Sequence, residues 1–161
     1  MFSKIKPYIL PYSVAIAIPL AVGILSAFFT KENMSLYSEI HTPPLAPPGW
    51  LFPIVWTLLY ALMGVSSCMI YLRRADSPAD TRKALTYYAM SLVLNFAWSI
   101  IFFNFRIFRL AFVCILALLY LIIRTILEYR KIYPLAAYLQ IPYAVWVAFA
   151  GYLNLAISIL N

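Results

Sequence analysis

The chain has 161 residues, of which 65% are hydrophobic and only 11% are charged. A soluble domain carries about a quarter charged residues, so this composition excludes an ordinary soluble fold and predicts a membrane protein. The net charge of +7 does not predict a nucleic-acid partner, because the twelve basic residues are spread over the ends of apolar segments and form no single patch.

Five apolar segments follow one another along the chain, separated by short breaks that carry polar residues or proline. A helix needs ~20 apolar residues to cross the hydrocarbon core of a bilayer, whereas a barrel strand needs ~9 to 11 residues of alternating polarity. The segments are long and lack alternation, so they predict helices. We therefore expect an all-α integral membrane protein, a single five-transmembrane-helix domain over residues 1–161, with spans at about 7–29, 49–72, 84–104, 107–129 and 134–160.

The first span follows a basic start, Met1 to Lys6, and this pairing resembles a signal peptide. The apolar run is too long for a signal peptide and no small-residue cleavage site follows it cleanly, so we interpret it as a retained helix. The distribution of Lys and Arg predicts that the N-terminus lies inside and the first loop outside. The lack of a targeting extension leads us to expect a multi-pass protein of a bacterial inner membrane.

The first loop contains the run Pro43–Trp50, whose four prolines make it rigid. We expect it to lie outside the bilayer as a lid over a binding site between the helices, formed by Pro47, Pro48, Gly49 and Trp50. Prolines also occur within the predicted spans, where each interrupts the backbone hydrogen bonding and predicts a bend. These are Pro11, Pro19, Pro53 and Pro142.

The second, third and fifth spans each carry aromatic, amide or small residues on one face. The residues are Trp56, Tyr60 and Gly64, then Asn95, Trp98, Ser99 and Phe102, and finally Pro142, Trp146, Ala150 and Asn154. In one interpretation the amides join helices by hydrogen bonds and the indoles fill space. In the other, the three faces line a pocket for a flat, largely apolar ligand that stacks on aromatic walls. The pattern alone leaves both open.

Polar residues give little support to other kinds of chemistry. The only acid within a predicted span is Glu128, which is spaced to pair with Arg124 one turn earlier. His41 has no second ligand at metal spacing, so we predict no metal site. We expect Cys68 and Cys114 to act as small hydrophobic residues, and no nucleotide-binding or hydrolase motif occurs. The remaining acids are expected in loops: Glu32, Glu39, Asp76 and Asp80.

Several motifs together resemble those of the TspO/MBR family, the translocator proteins. Pro47-Pro48-Gly49-Trp50 followed by Val55-Trp56-Thr57-Leu58-Leu59-Tyr60 and Gly64 is similar to the family's first loop and second helix. The third helix is matched by Leu94-Asn95-Phe96-Ala97-Trp98, Ile101-Phe102-Phe103 and Arg106. The fifth is matched by Pro134-Leu135-Ala136-Ala137, Pro142-Tyr143, Trp146, Ala148-Phe149-Ala150 and Leu153-Asn154. The resemblance runs nearly end to end and in order.

The resemblance implies a five-helix bundle, commonly a homodimer, whose pocket under the first loop accepts porphyrins and isoquinoline or benzodiazepine drugs. Trp56, Asn95, Trp146 and Ala150 match positions that contact ligands in relatives. We expect the site to include eight residues: Trp56, Tyr60, Asn95, Trp98, Phe102, Trp146, Ala150 and Asn154. The function implied is tetrapyrrole sensing or transport, without a required cofactor and with membrane lipid as the surroundings.

Two alternatives to sensing or transport stay open. Some bacterial members of the family are reported to promote light-dependent breakdown of protoporphyrin IX, and the tryptophans implicated match Trp56 and Trp146. These two residues would be catalytic under that function, with the porphyrin as substrate. The chain could instead be a structural membrane partner that uses no ligand.

The chain departs from the family at a few positions. Leu36 and Leu45 stand where relatives often carry Trp, and Cys114 stands where several have an acidic residue. No Lys or Arg follows Tyr152, so we predict no cholesterol site of the kind proposed for the family. Small residues spaced four apart in the first span suit close helix packing, either between two copies or within one. They are Ala17 with Ala21, and Gly23 with Ala27.

Overall fold

The structure, a computed structural model, describes residues 6–161, with side chains from residue 8 onward. Within that range it contains helices and connecting turns and no strand. Five of the helices are long and apolar enough to cross a membrane, which confirms the predicted all-α class. The basic stretch at residues 1–5 lies outside the described residues.

The helices have these bounds: α1 Lys6–Thr30, α2 Leu36–Glu39, α3 Leu51–Tyr71, α4 Pro78–Ser99, α5 Phe108–Ile132 and α6 Pro134–Leu160. A 3₁₀ turn, Lys31–Asn33, follows α1, and a π-helical turn, Ile100–Asn104, continues α4. The short helix α2 lies in the first loop and has no counterpart among the predicted spans. The five long helices correspond to the five predicted spans in order.

Helix α4 begins at Pro78, earlier than the predicted start at Ala84. Proline suits the first turn of a helix because its missing N–H would have no partner there, and Asp80 in that turn interacts favourably with the helix dipole. The helix therefore extends past the apolar run. Asp80 lies in this first turn, so its prediction as a loop residue was wrong.

The five long helices form a ring in the order α1, α3, α6, α5, α4. Helix α5 packs most extensively, against α6 and α4, while α1 packs mainly on α3 and has few contacts with α4. The main core runs between α3, α4, α5 and α6 and includes fully buried Met63, Ile70 and Ile122. Among neighbours in this ring, α1 and α4 have the loosest contact, and it lies beside the cavity described below.

Gly64 lets α1 and α3 approach closely. A Cβ at this position would lie 2.7 Å from the Ala15 carbonyl oxygen and would also overlap the backbone of Ile16. Gly64 thus faces α1, and its predicted place on the pocket face was wrong, because the i+8 position has rotated away from Trp56. Pro53 falls in the first turn of α3, where a missing N–H breaks no helical bond, so it gives no reason for a bend.

The π turn after α4 is fastened to the end of α1. Asn104 accepts a hydrogen bond from the Asn33 amide at 3.0 Å and donates one to the Phe29 carbonyl at 2.9 Å. A π turn holds more residues per turn than an α-helix and often occurs at functional sites. Here it brings Phe102 and Phe103 to the same cavity as the end of α4.

Candidate functional site

A cavity of about 470 Å³ lies between α1, α3, α4 and α6, under the first loop. Its size falls in the range of roughly 300–1,000 Å³ typical of small-molecule sites. Helix α5 does not line it and packs instead against α4 and α6. We call this space the bundle cavity.

Two aromatic stacks line the bundle cavity. The Trp56 indole lies 5.4 Å from the Tyr60 ring, centroid to centroid, with 28° between the planes. The Trp98 indole lies 5.3 Å from the Phe102 ring at 30°. Each pair comes from residues one turn apart on a continuous helical segment, so the helix itself sets the stacking. The cavity therefore presents flat aromatic surfaces from two helices.

Asn95 is buried and joins three helices. Its side-chain carbonyl oxygen accepts a hydrogen bond from the Tyr60 hydroxyl at 2.8 Å, and its amide donates to the Tyr143 hydroxyl at 3.2 Å. These bonds connect α4 to α3 and α6. Since Asn95 and Tyr60 also line the cavity, the amide both joins helices and fixes the orientation of a wall residue.

Asn154 plays the corresponding part for the second stack. Its side-chain oxygen accepts a hydrogen bond from Trp98 Nε1 at 2.9 Å, and its amide donates to the Phe108 carbonyl at 2.8 Å. The residue connects α6 to α4 and α5. The two interpretations of the amides that the sequence left open are therefore compatible, because each amide is an interhelical bond and a cavity residue at once.

Seven of the eight predicted ligand residues line the cavity, and Trp146 does not. The Trp146 indole packs against Phe52, a residue of the cavity wall, with the ring centroids 5.9 Å apart. Its Nε1 is buried and has no hydrogen-bond partner among the described residues. A molecule in the cavity would contact Trp56 directly but not Trp146.

The predicted lid contributes one residue to the cavity, Gly49. Trp50 is 66% exposed and points away from it. The Pro47 carbonyl accepts a hydrogen bond from the Tyr37 hydroxyl at 3.0 Å, which connects this part of the loop to α2. Burial raises the pKa of Tyr37, which keeps this hydroxyl protonated as a donor.

The first loop is also tied to the end of α6. The Tyr152 hydroxyl donates to the Pro44 carbonyl at 2.9 Å. The Asn161 side chain accepts from the His41 backbone N–H and donates to its carbonyl, both at 3.0 Å. Two of these bonds use the His41 backbone, so the residue acts here through its main chain.

Cavity residues from α1 were not predicted from the sequence. Leu20, Gly23, Ser26 and Thr30 line the cavity, as does Tyr37 in α2. Ser26 and Thr30 are buried and bond to carbonyls four residues earlier, at 2.9 and 2.7 Å. Two hydroxyl residues one turn apart in the otherwise apolar second half of α1 were the available signal. Gly23 faces Tyr60, so this part of the small-residue pattern packs within the chain.

The three departures from the family pattern have distinct positions. Leu36 is buried against a small cluster that includes Phe102 and Ile157. Leu45 is 83% exposed. The Cys114 sulfur lies 3.7 Å from the Leu94 carbonyl, between α5 and α4 and away from the cavity.

A cluster of charges lies apart from the cavity, near the end of α5. The predicted pair of Arg124 with Glu128 is present at 3.5 Å. Lys83 on α4 and Lys131 also contact the Glu128 carboxylate, at 3.1 and 2.9 Å. The carboxylate is buried while its partners are half-exposed, so the cluster connects α4 to α5. No three His, Cys, Asp or Glu side chains group as a metal site among the described residues.

Comparisons with known proteins identify the family of this chain. Residues 15–160 match the TspO/MBR family. The chain is 34% identical to "Tryptophan-rich protein TspO" of Chlorobaculum tepidum over 95% of its own length and 97% of that protein's. It is 36% identical to the protein of the same name from Archaeoglobus fulgidus over 88% and 91% of the two chains. It is 35% identical to "Translocator protein" of Bos taurus over 85% and 82%.

Proposed function

Because this chain belongs to the TspO/MBR family, we propose that it binds a porphyrin, or another flat and largely apolar molecule, in the bundle cavity. It then acts as an integral, multi-pass membrane protein in tetrapyrrole sensing or transport. The observation that carries the proposal is the pair of aromatic stacks, Trp56 on Tyr60 and Trp98 on Phe102, facing one cavity of about 470 Å³.

The chemistry of the cavity favours this ligand class. Indole and phenyl faces interact with flat conjugated rings through stacking, which contributes ~0.5–1.5 kcal/mol per pair beyond the burial of apolar area. The polar groups are few, and those of Asn95 and Asn154 are largely occupied by protein partners. The cavity would therefore select shape and aromatic surface over a fixed pattern of hydrogen bonds, which also suits isoquinoline and benzodiazepine compounds.

A dark titration with protoporphyrin IX tests the proposal. Binding is followed by the shift of the porphyrin absorption band, which does not depend on protein fluorescence. Trp56→Leu keeps apolar bulk but removes the aromatic face, and we expect a Kd roughly 2- to 12-fold higher. Trp50→Leu is the matched control because Trp50 is exposed and outside the cavity. An equal rise in Kd in both variants, or no rise in either while helicity is retained, contradicts the proposal.

Light-dependent oxidation of protoporphyrin IX is a second candidate, favoured by the direct position of the Trp56 indole on the cavity. An illuminated porphyrin can activate dioxygen, which oxidises the adjacent Trp56 indole. The oxidised indole then takes an electron from the porphyrin held against it, so that electrons pass from the porphyrin to dioxygen and the protein needs only to hold the ring in place. Illumination should give one defined product, lost in Trp56→Phe while dark binding persists. Trp146→Phe should affect the product less, because Trp146 does not line the cavity and packs against its wall residue Phe52. Bleaching that matches empty detergent excludes catalysis.

We also propose that the chain forms a homodimer and that it lies in a bacterial inner membrane. Ala17 and Ala21 are exposed on α1 at the spacing of a close-packing face. Mass measured by light scattering in detergent should correspond to two chains. An Ala17→Leu/Ala21→Leu variant should have the mass of one chain. If the variant stays dimeric, the contact between the two copies lies elsewhere.

A further inference from the structure

The first loop carries two large apolar side chains that the rest of the chain leaves uncovered. Leu45 is 83% exposed and Trp50 is 66% exposed. Trp50 comes directly before α3 and already has helical backbone angles. Ile54 and Leu58, one and two turns later, are also more than half exposed. Residues spaced by four share one face of a helix, so Trp50 continues the lipid-facing stripe of α3.

A tight turn, Pro43–Ala46, displays Leu45. The Ala46 N–H donates to the Pro43 carbonyl at 3.2 Å, which closes the turn. Pro44 suits the second position of such a turn, but Leu45 at the third has a φ of 70°, a left-handed conformation that usually belongs to glycine. The chain thus holds a bulky side chain in a disfavoured conformation and leaves it open. A contact with something outside the chain would explain why leucine stands there.

The turn lies at the same height along the bundle as Trp50. The Tyr152 hydroxyl on α6 donates to the Pro44 carbonyl at 2.9 Å. Helices α3 and α6 run antiparallel, and the Ser66 hydroxyl donates to the Ala136 carbonyl at 2.7 Å, so these two positions are level. Tyr152 comes sixteen residues after Ala136, and Trp50 comes sixteen residues before Ser66. The same rise along both helices therefore brings Tyr152, and the turn bonded to it, level with Trp50.

This height corresponds to one boundary of the hydrocarbon core. Helix α3, Leu51–Tyr71, has 21 residues and rises about 32 Å at ~1.5 Å per residue, close to the ~30 Å thickness of the core. Arg73 and Arg74 follow its far end, and charged side chains of this kind belong outside the hydrocarbon. Trp50 precedes its near end, where the membrane boundary favours tryptophan. Leu45 therefore lies at the level of the lipid headgroups.

We propose that the first loop is a membrane-contact surface, with Leu45 and Trp50 seated among the headgroups and the upper acyl chains. Lipid is favoured over a protein partner because Trp50 is continuous with the lipid-facing stripe of α3. The same loop contributes Gly49 to the bundle cavity, and Tyr37 of the cavity wall binds the Pro47 carbonyl. The predicted lid is thus held by a cavity residue on one side and by lipid on the other. The inference does not depend on what the cavity binds.

Spin labels on the full chain in lipid nanodiscs test the proposal. A nitroxide at Leu45→Cys is compared for its collisions with oxygen, which enters lipid, and with a nickel chelate, which stays in water. His41→Cys is the matched control in the same loop, because the His41 backbone binds Asn161, nine residues and about 13 Å beyond Tyr152. Leu58→Cys gives the value for a lipid-facing position. The ratio of oxygen to nickel collisions at position 45 should approach that at position 58 and exceed that at position 41.

Two results of this experiment overturn the proposal. A ratio at position 45 equal to that at position 41 means that water covers the turn. Loss of access for both oxygen and the nickel chelate means that protein covers it, and broadening between labels on two copies would assign the cover to a second chain. Every variant also carries Cys114→Ala to remove the partly exposed native thiol, whereas Cys68 is buried.

Trp50 allows a second measurement that needs no added cysteine. Tryptophan fluorescence of the wild type and of Trp50→Leu is recorded in nanodiscs whose lipids carry bromine either close to the headgroup or at the tip of the acyl chain. The part of the emission that Trp50→Leu removes should be quenched more strongly by the bromine close to the headgroup. If that part is quenched by neither lipid, or more strongly by bromine at the tip, the proposal is wrong.

Discussion

Replacing Asn95 with leucine should weaken both the fold and the ligand site. The change keeps similar volume but removes two hydrogen bonds, one from the Tyr60 hydroxyl at 2.8 Å and one to the Tyr143 hydroxyl at 3.2 Å. Both tyrosines are buried, so neither hydroxyl can turn to bulk water in compensation. The variant therefore leaves two buried polar groups with fewer partners.

The magnitude follows from the two bonds. Interhelical hydrogen bonds in membrane bundles contribute ~0.6 kcal/mol on average and up to ~1.7 kcal/mol, so Asn95→Leu should lower the free energy of unfolding by about 1–3 kcal/mol. Tyr143→Phe removes only one bond and should cost about 0.6–1.7 kcal/mol. In a double-mutant cycle, the coupling between the two changes should equal the cost of that one bond.

Two assays on the same preparations check the prediction. Unfolding in mixed micelles with increasing sodium dodecyl sulfate, followed by helicity, gives the stability difference. Porphyrin titration gives the effect on the site, where we expect weaker binding because the Tyr60 ring that stacks on Trp56 loses its anchor. An Asn95→Leu variant that unfolds and binds as the wild type does would refute the role assigned to the amide.

Three further outcomes are expected from other contacts. Gly64→Ala should cost about 1–3 kcal/mol of stability, since its new methyl would overlap the α1 backbone. Glu128→Gln should lower stability by about 1–3 kcal/mol, between the values for exposed and buried ion pairs, because the carboxylate is buried but its cations reach water. Tyr37→Phe removes the bond to Pro47 and should speed porphyrin dissociation roughly 2- to 12-fold, by the ~0.5–1.5 kcal/mol of one hydrogen bond.

Matched variants make these three results interpretable. Gly151→Ala adds the same methyl where the nearest side chain lies 3.7 Å away, so its stability should be unchanged or higher. Tyr138→Phe removes a hydroxyl from an exposed tyrosine and should not alter dissociation. Glu32→Gln removes an exposed acid that forms no ion pair among the described residues. Equal effects in a variant and its control would contradict the corresponding prediction.

Much of the candidate site follows from local spacing. Trp56 with Tyr60, and Trp98 with Phe102, are one turn apart, and this spacing alone predicts that each pair shares a face. The same reasoning placed Gly64 with Trp56, although two turns of rotation bring it against α1 instead. Trp146 shares the fifth-span face with Ala150, yet it does not line the cavity and packs against Phe52 from another helix. Such errors arise because spacing describes one helix, whereas a site is formed between several.

Composition and the length of the apolar runs were sufficient to predict the membrane class, the all-α architecture and the number of spans, because the thickness of the hydrocarbon core sets the length of each apolar run. Which face of each helix points into the bundle follows only from how the helices pack together. In a membrane both the core and the lipid-facing surface are apolar, so hydrophobic periodicity in α1 could not identify Leu20 and Gly23 as cavity residues, and only the hydroxyl pair Ser26 and Thr30 gave a signal. Only the packing of α1 on α3, at Gly64, sets its rotation and so completes the cavity.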